Sequence, residues 1–301
     1  MKPGILRTLA LLSAMVAGAF VPQAQAAAWA IRWLVIGMLF AVFLQTQLSR
    51  SMLHRSHGVL LVANLVMGMV GWGLGWFIGG RNVALAAFFA GITPTATAAP
   101  VVMDFLRGRV SYVVAAFVLT NLVIAAVMPG LLPYVLGQAT PHVFGHVVGS
   151  VGLVVFAPAA VAWLLRTVHP RAVEWPGRLR NVTFGAWVLA LFLITANASD
   201  FLRRQTTVPF AELVAIGAVT LLVCAANFAL GRMIGGREFP REASQSLGQK
   251  NTTLTIYLAL AYASPLVALG PTFYVLWHNL WNSWQLHQHR HVDVKSSHLT
   301  A

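Results

Sequence analysis

The groups able to do chemistry are gathered in two polar interruptions of an otherwise apolar chain. The first is AGITPTATAAPVVMDFLRGRV at 90–110, where Thr93, Thr95 and Thr97 alternate through a segment carrying Pro94 and Pro100. Each proline removes a backbone donor and crowds the carbonyl four residues back, so no helix passes both undisturbed. In a bilayer the freed groups must be covered by protein or line a wet cavity. Two readings stay open: a kink whose backbone groups are met by Ser/Thr side chains, or a broken helix that presents its half-helix ends to a solute. The second interruption is SQSLGQKNTTLT at 244–255, polar where hydrophobicity should rise. On the broken-helix reading, Thr93, Thr95, Thr97, Gln249, Asn251 and Thr252 line a binding site, and Pro94, Pro100 and Gly248 shape the breaks. Half-helix N-termini and the ammonium of Lys250 favour a negatively charged solute.

Other chemistry-bearing residues admit blander readings. Glu212 is a second candidate proton carrier, or a helix-end carboxylate near water. Asn64, Asn121 and Asn227 either face a cavity or hydrogen-bond between helices. Asp104 is a local partner for Arg107 or Arg109. His142 and His146 share a helical face at a spacing open to metal, but no third ligand is apparent, so neither metal nor cofactor is expected. His287, His289 and His291 alternate in a solvated end. No motif pairs a nucleophile with a base, which argues against an enzyme.

These residues must be positioned by membrane helices. The chain has 301 residues, 58% hydrophobic and 9% charged, with mean hydropathy +0.75. Soluble domains carry about 25% charged residues. Apolar runs near the roughly 20 residues of a membrane span fall at 5–24, 29–48, 58–79, 83–106, 110–136, 142–166, 180–201, 207–233, 245–265 and 268–287, about ten in all. Lys2, Arg7 and AQAAA at 24–28 imitate a cleavable signal peptide; retaining the first run gives an even number that divides in two. With the N-terminus cytoplasmic, every Lys and Arg but Arg32, Arg81, Arg203, Arg204 and Lys250 lies inside, as the positive-inside rule requires. The net charge of +13 therefore orients the chain and needs no nucleic acid. Both termini are expected in the cytoplasm and the chain in a bacterial inner membrane, with lipid and protons as its other partners; oligomeric state is not legible. The single Cys224 excludes an intramolecular disulfide.

The expected fold is an all-α polytopic membrane protein of about ten transmembrane helices. One unit covers 1–301, with a first inverted repeat at 1–137, a second at 138–290 and a cytoplasmic tail at 291–301. The fourth run of each five-span half is the interrupted one, and such matching interruptions point to a site between inverted repeats. In these features the chain resembles the bile acid:sodium symporter family. PTATAAPVVMDFLRG is similar to its fourth-span signature through Pro94, Thr97, Arg107 and Gly108. Gly248, Gln249 and Asn251 are similar to its ninth-span motif, and Trp277, His278 and Asn279 to a tenth-span triplet. The resemblance implies a panel of spans 1, 2, 6 and 7, a core of the other six, and discontinuous fourth and ninth helices that cross beside a substrate cavity. It also implies that sodium ligands are lost. A Ser-Asn pair becomes Ala99-Pro100, hydroxyl positions fall on Val113 and Phe117, a glutamate on Ser246 and a glutamine on Lys250. Sodium wants oxygen donors, and an ammonium has none to give.

Lys250 then has three readings. It fills the place of a bound cation, it binds and releases a proton as its surroundings alternate, or it snorkels to an interface. The first two imply an alternating-access transporter of a small organic anion, sodium-independent, with proton coupling or facilitated exchange. A channel-like or sensory protein that kept the fold without coupling is the alternative.

Overall fold

A computed structural model describes residues 3–46, 49–204 and 208–299. Lys2 and the last two residues of the expected tail lie outside the described residues, as do the side chains of His287, His289 and His291. Among the described residues the structure is 87% helix with no strands. In order the helices are α1 (Pro3–Phe20), α2 (Ala30–Gln45), α3 (Arg55–Gly79), α4 (Arg81–Ile92), α5 (Ala99–Phe105), α6 (Val110–Val135), α7 (Pro141–Val151), α8 (Ala157–Val168), α9 (Trp175–Arg178), α10 (Arg180–Arg204), α11 (Phe210–Gly235), α12 (Pro240–Gly248), α13 (Thr252–Tyr262) and α14 (Pro265–Leu299). A π turn at Gly152–Phe156 joins α7 to α8.

Among the described residues five helices are long and apolar enough to cross a membrane: Arg55–Gly79, Val110–Val135, Pro141–Val168, Asn181–Arg204 and Phe210–Gly235. Shorter apolar helices cover Leu9–Phe20, Ala30–Gln45, Arg81–Ile92 and Thr252–Tyr262. Large apolar side chains such as Phe77, Tyr134, Trp163 and Phe210 stand exposed. In water such a surface would be a liability; it is compatible with contact to lipid.

Two helical hairpins hold the breaks. α3 turns into α4 at Gly80, φ 75°, and α11 turns towards α12 at Gly236, φ 58°. Both are left-handed positions where a side chain would be strained. Each hairpin then closes without intervening side chains. A Cβ on Gly75 would stand 2.6 Å from the Val83 carbonyl oxygen, and one on Gly231 would stand 2.5 Å from that of Ala243. Such close approach of backbones is how membrane helices pack when the surrounding lipid offers no hydrophobic drive.

The structure moves several expected boundaries. Pro100 does not break the fourth run; it lies at the start of α5, where its missing N–H costs nothing. The unwound stretch is 93–98. The polar run at 244–255 is mostly helical, because α12 starts at Pro240 and continues to Gly248. Its residues Glu242 to Gly248 are all buried, so polarity there marks a buried face and not a loop. α14 runs on to Leu299, making the expected tail at 291–299 a helical continuation.

Candidate functional site: two helix breaks paired inside the bundle

The interruptions meet. Thr95 and Lys250 face each other in an antiparallel bridge. The Ala96 amide donates to the Gln249 carbonyl at 2.9 Å, and the Asn251 amide donates to the Pro94 carbonyl at 2.7 Å. Those bonds flank the bridge, so Thr95 and Lys250 form its non-hydrogen-bonded pair. The amide and carbonyl of Thr95 therefore need partners elsewhere. α6 supplies both. The Thr95 amide donates to Thr120 Oγ1 at 3.0 Å, and its carbonyl accepts from Asn121 Nδ2 at 2.9 Å.

Side chains complete the closure. Asn121 Oδ1 accepts from Asn251 Nδ2 at 3.0 Å. Thr95 Oγ1 donates to the Ser246 carbonyl at 2.6 Å. The hydroxyls of Thr93 and Thr255 lie 2.7 Å apart. At the end of α12, the Gly248 carbonyl accepts from the Tyr274 hydroxyl at 2.9 Å. Gly248 packs closely on Phe228, where a Cβ would overlap the ring. The backbone groups of Pro94, Thr95, Ala96, Gly248, Gln249 and Asn251 named above are thus met by protein.

Lys250 is buried at 2% exposure. Its ammonium donates to Asn64 Oδ1 and, at 3.1 Å, to the Gly91 carbonyl. Asn64 in turn donates through Nδ2 to the Ile92 carbonyl at 2.8 Å. Both partners of the ammonium are neutral oxygens, the Asn64 amide on α3 and the Gly91 carbonyl in the last turn of α4. A helix C-terminus carries partial negative charge on its unpaired carbonyls, so the ammonium sits where a cation is attracted. The snorkelling reading fails on burial. Asn64 and Asn121 act as ties between helices and present no amide to an open cavity.

The expected site residues divide. Thr93, Thr95, Gln249, Asn251 and Thr252 are brought together and buried, but Thr97 is exposed. The five buried ones spend most of their polar groups on each other and on neighbouring helices. Thr252 Oγ1 is an exception, buried without a partner. Gln249 Nε2 donates to Gln245 Oε1 at 2.6 Å. Glu212 is not among them. It sits in the first turn of α11 and accepts from Asn82 Nδ2 at 2.9 Å, at the end of α4 opposite the break. Trp277 donates to Thr220 Oγ1 at 3.2 Å, Asn279 bonds back to the Val275 carbonyl at 2.7 Å, and His278 is buried beside Tyr274. Trp277 therefore ties α14 to α11, and Tyr274, one turn earlier, reaches the break.

Of the two arginines expected as partners for Asp104, Arg109 bonds Glu238 at 3.4 Å. Sequence reasoning passed over Thr120, Tyr274 and Glu242. Glu242 is 6% exposed, and its Oε1 accepts from the Arg109 amide at 2.9 Å, fixing the start of α6 against α12. Only the adjacency of Thr120 to Asn121 in an apolar helix signalled anything; Tyr274 reads as an ordinary core aromatic. Among the described residues no group of three or more His, Cys, Asp or Glu could hold a metal.

A search against family models and against curated proteins returns no match for this chain. The reading of the site rests on its own geometry.

An open cleft of about 550 Å³ lies on the other side of α6. Phe43, Thr46, Val118, Leu122, Trp163 and Arg166 line it, with Arg166 donating to the Thr46 carbonyl. Thr120 and Asn121 hold the breaks while Val118 and Leu122 face the cleft, so one helix joins the two.

Proposed function

We propose that this chain is a secondary transporter of a small organic anion that works by alternating access without sodium. The observation that carries the reading is the direct pairing of two interrupted helices, with the ammonium of Lys250 held at their junction. Helices α4, α5, α12 and α13 have 12, 7, 9 and 11 residues. At 1.5 Å per residue the longest covers about 18 Å, little more than half of a 30 Å hydrocarbon core. On this reading α4 with α5, and α12 with α13, each make one broken crossing. With α1, α2, α3, α6, α7–α8, α10, α11 and α14 they give ten spans. The parallel construction of the two hairpins, each turning at a left-handed glycine and each leading into a break, supports two inverted repeats at 1–137 and 138–290.

Lys250 takes the place of a mobile cation in this scheme. A tethered ammonium holds the last turn of α4 as an ion would, but it cannot dissociate, so no sodium gradient is coupled. The anion enters the cleft beside α6, where Arg166 offers charge and Phe43, Val118, Leu122 and Trp163 offer apolar surface. α6 then carries the change to the breaks. A helical core moving against α2 and α7–α8 would open the cleft on one side at a time, with both termini cytoplasmic in an inner membrane. This assignment agrees with the resemblance to the bile acid:sodium symporter family drawn from Pro94, Gly248, Gln249, Asn251 and the Trp277 triplet.

Uptake of labelled organic anions into proteoliposomes tests it, with sodium and pH gradients set independently. Saturable uptake unaffected by sodium is expected. Sodium-stimulated uptake overturns the role given to Lys250, and flux that never saturates points to the channel-like alternative.

A further inference from the structure

We propose that His142 and His146 form a chelating site for one divalent transition-metal ion of the Cu²⁺, Ni²⁺ or Zn²⁺ class, at the exposed start of α7. The two rings lie one turn apart on the helix, both exposed, with their Nε2 atoms 3.1 Å apart. In the metal-free chain one neutral ring donates this hydrogen bond and the other accepts it. The separation also suits a shared ion. Metal–imidazole bonds of about 2.0–2.1 Å spanning that distance subtend roughly 95–102° at the ion. That lies between the right angle of a square-planar ion and the wider tetrahedral angle. Paired histidines four apart on one helix face are a recognised zinc-binding arrangement. Water fills the remaining positions, since among the described residues no third protein ligand stands by. Imidazole ligands favour copper, nickel and zinc over magnesium and calcium, and within that series affinity peaks at Cu²⁺.

The local scaffold holds the pair. Thr140 caps α7, accepting from the Val143 amide at 3.3 Å, and Pro141 opens the helix. The carbonyl of His146 accepts from the Tyr262 hydroxyl at 2.8 Å, and that hydroxyl also lies 2.5 Å from Ser150 Oγ. The carbonyl beside one proposed ligand is thus tied to the end of α13, so the helix turn presenting both rings is fixed from two directions. The proposal is independent of the transport reading.

The test uses the full chain without an affinity tag of histidines, and with the C-terminal histidines removed as competitors by His287→Gln, His289→Gln, His291→Gln and His298→Gln. Titration with Cu²⁺, followed by calorimetry and electron paramagnetic resonance, should show one ion with two equatorial nitrogens. Adding His142→Ala or His146→Ala should weaken binding at least 10-fold, in line with what losing even a supporting group costs a metal site. The metal-free melting temperature should be unchanged by either substitution, because both side chains are exposed. Magnesium and calcium should not compete. Binding that survives either substitution at full strength, or a spectrum with a single nitrogen, overturns the site and marks an adventitious ion only.

Discussion

Asn64 and Lys250 lie 186 residues apart in sequence yet share one buried hydrogen bond, and a double-mutant cycle on them tests the core of the structure. Asn64→Leu removes the ammonium's side-chain acceptor and strands the Ile92 carbonyl. A hydrogen bond to a charged group contributes about 1.5–3 kcal/mol, and an orphaned buried polar group costs about 1–3 kcal/mol. The single substitution should therefore cost about 3–5 kcal/mol. Lys250→Met has opposing effects. It strands Asn64 Oδ1 and the Gly91 carbonyl, but it removes a charge whose burial in a membrane costs about 2.5–3.5 kcal/mol on insertion scales, so its net cost should stay under about 2 kcal/mol. In the Asn64→Leu background the sign should reverse. There Lys250→Met removes a cation that has lost a partner, and should restore about 1–3 kcal/mol. Reversible unfolding in mixed micelles, monitored by helix content, measures all three variants. If Lys250→Met costs the same in both backgrounds within about 0.5 kcal/mol, the pair is uncoupled and the reasoning about the junction is wrong.

Alternating threonines should behave differently despite their shared motif. Thr95→Val should cost about 1–2 kcal/mol, because Thr95 Oγ1 bonds the Ser246 carbonyl, while exposed Thr97→Val should stay within about 0.5 kcal/mol; the same micellar unfolding separates them. Gly248→Ala should lose about 1–3 kcal/mol by driving a methyl into the Phe228 ring, and Phe228→Leu in the same chain should recover part of that loss. Asn121→Leu should destabilise by about 2–4 kcal/mol, since it leaves both the Thr95 carbonyl and Asn251 Nδ2 without partners; a melting temperature equal to wild type would refute the tie between α6 and the breaks. Arg166→Gln should weaken a transported anion about 10-fold, equivalent to roughly 1.4 kcal/mol, read as a raised KM for proteoliposome uptake.

Composition by itself determined the class of protein. A chain this apolar, with so few charges, must satisfy its backbone internally, and helices do so segment by segment. Pro94 was also legible as a break, because ring closure acts on the local backbone whatever surrounds it. Pro100 was not legible, since the same ring that ends one helix can start another, and only the register of α5 decides which. The run 244–255 shows the same limit. Its polar residues read as an interruption, but tertiary packing buries them against α11, α6 and α14 and keeps them helical, so that only the few residues after Gly248 unwind. The partners of Lys250 lay beyond any local pattern. Nothing near it in the chain could show whether an ammonium faces water, a carboxylate or two neutral oxygens, because that choice is made by which distant groups the fold brings within hydrogen-bonding reach. Residue types set what each interruption needed, and the arrangement of helices decided what met that need.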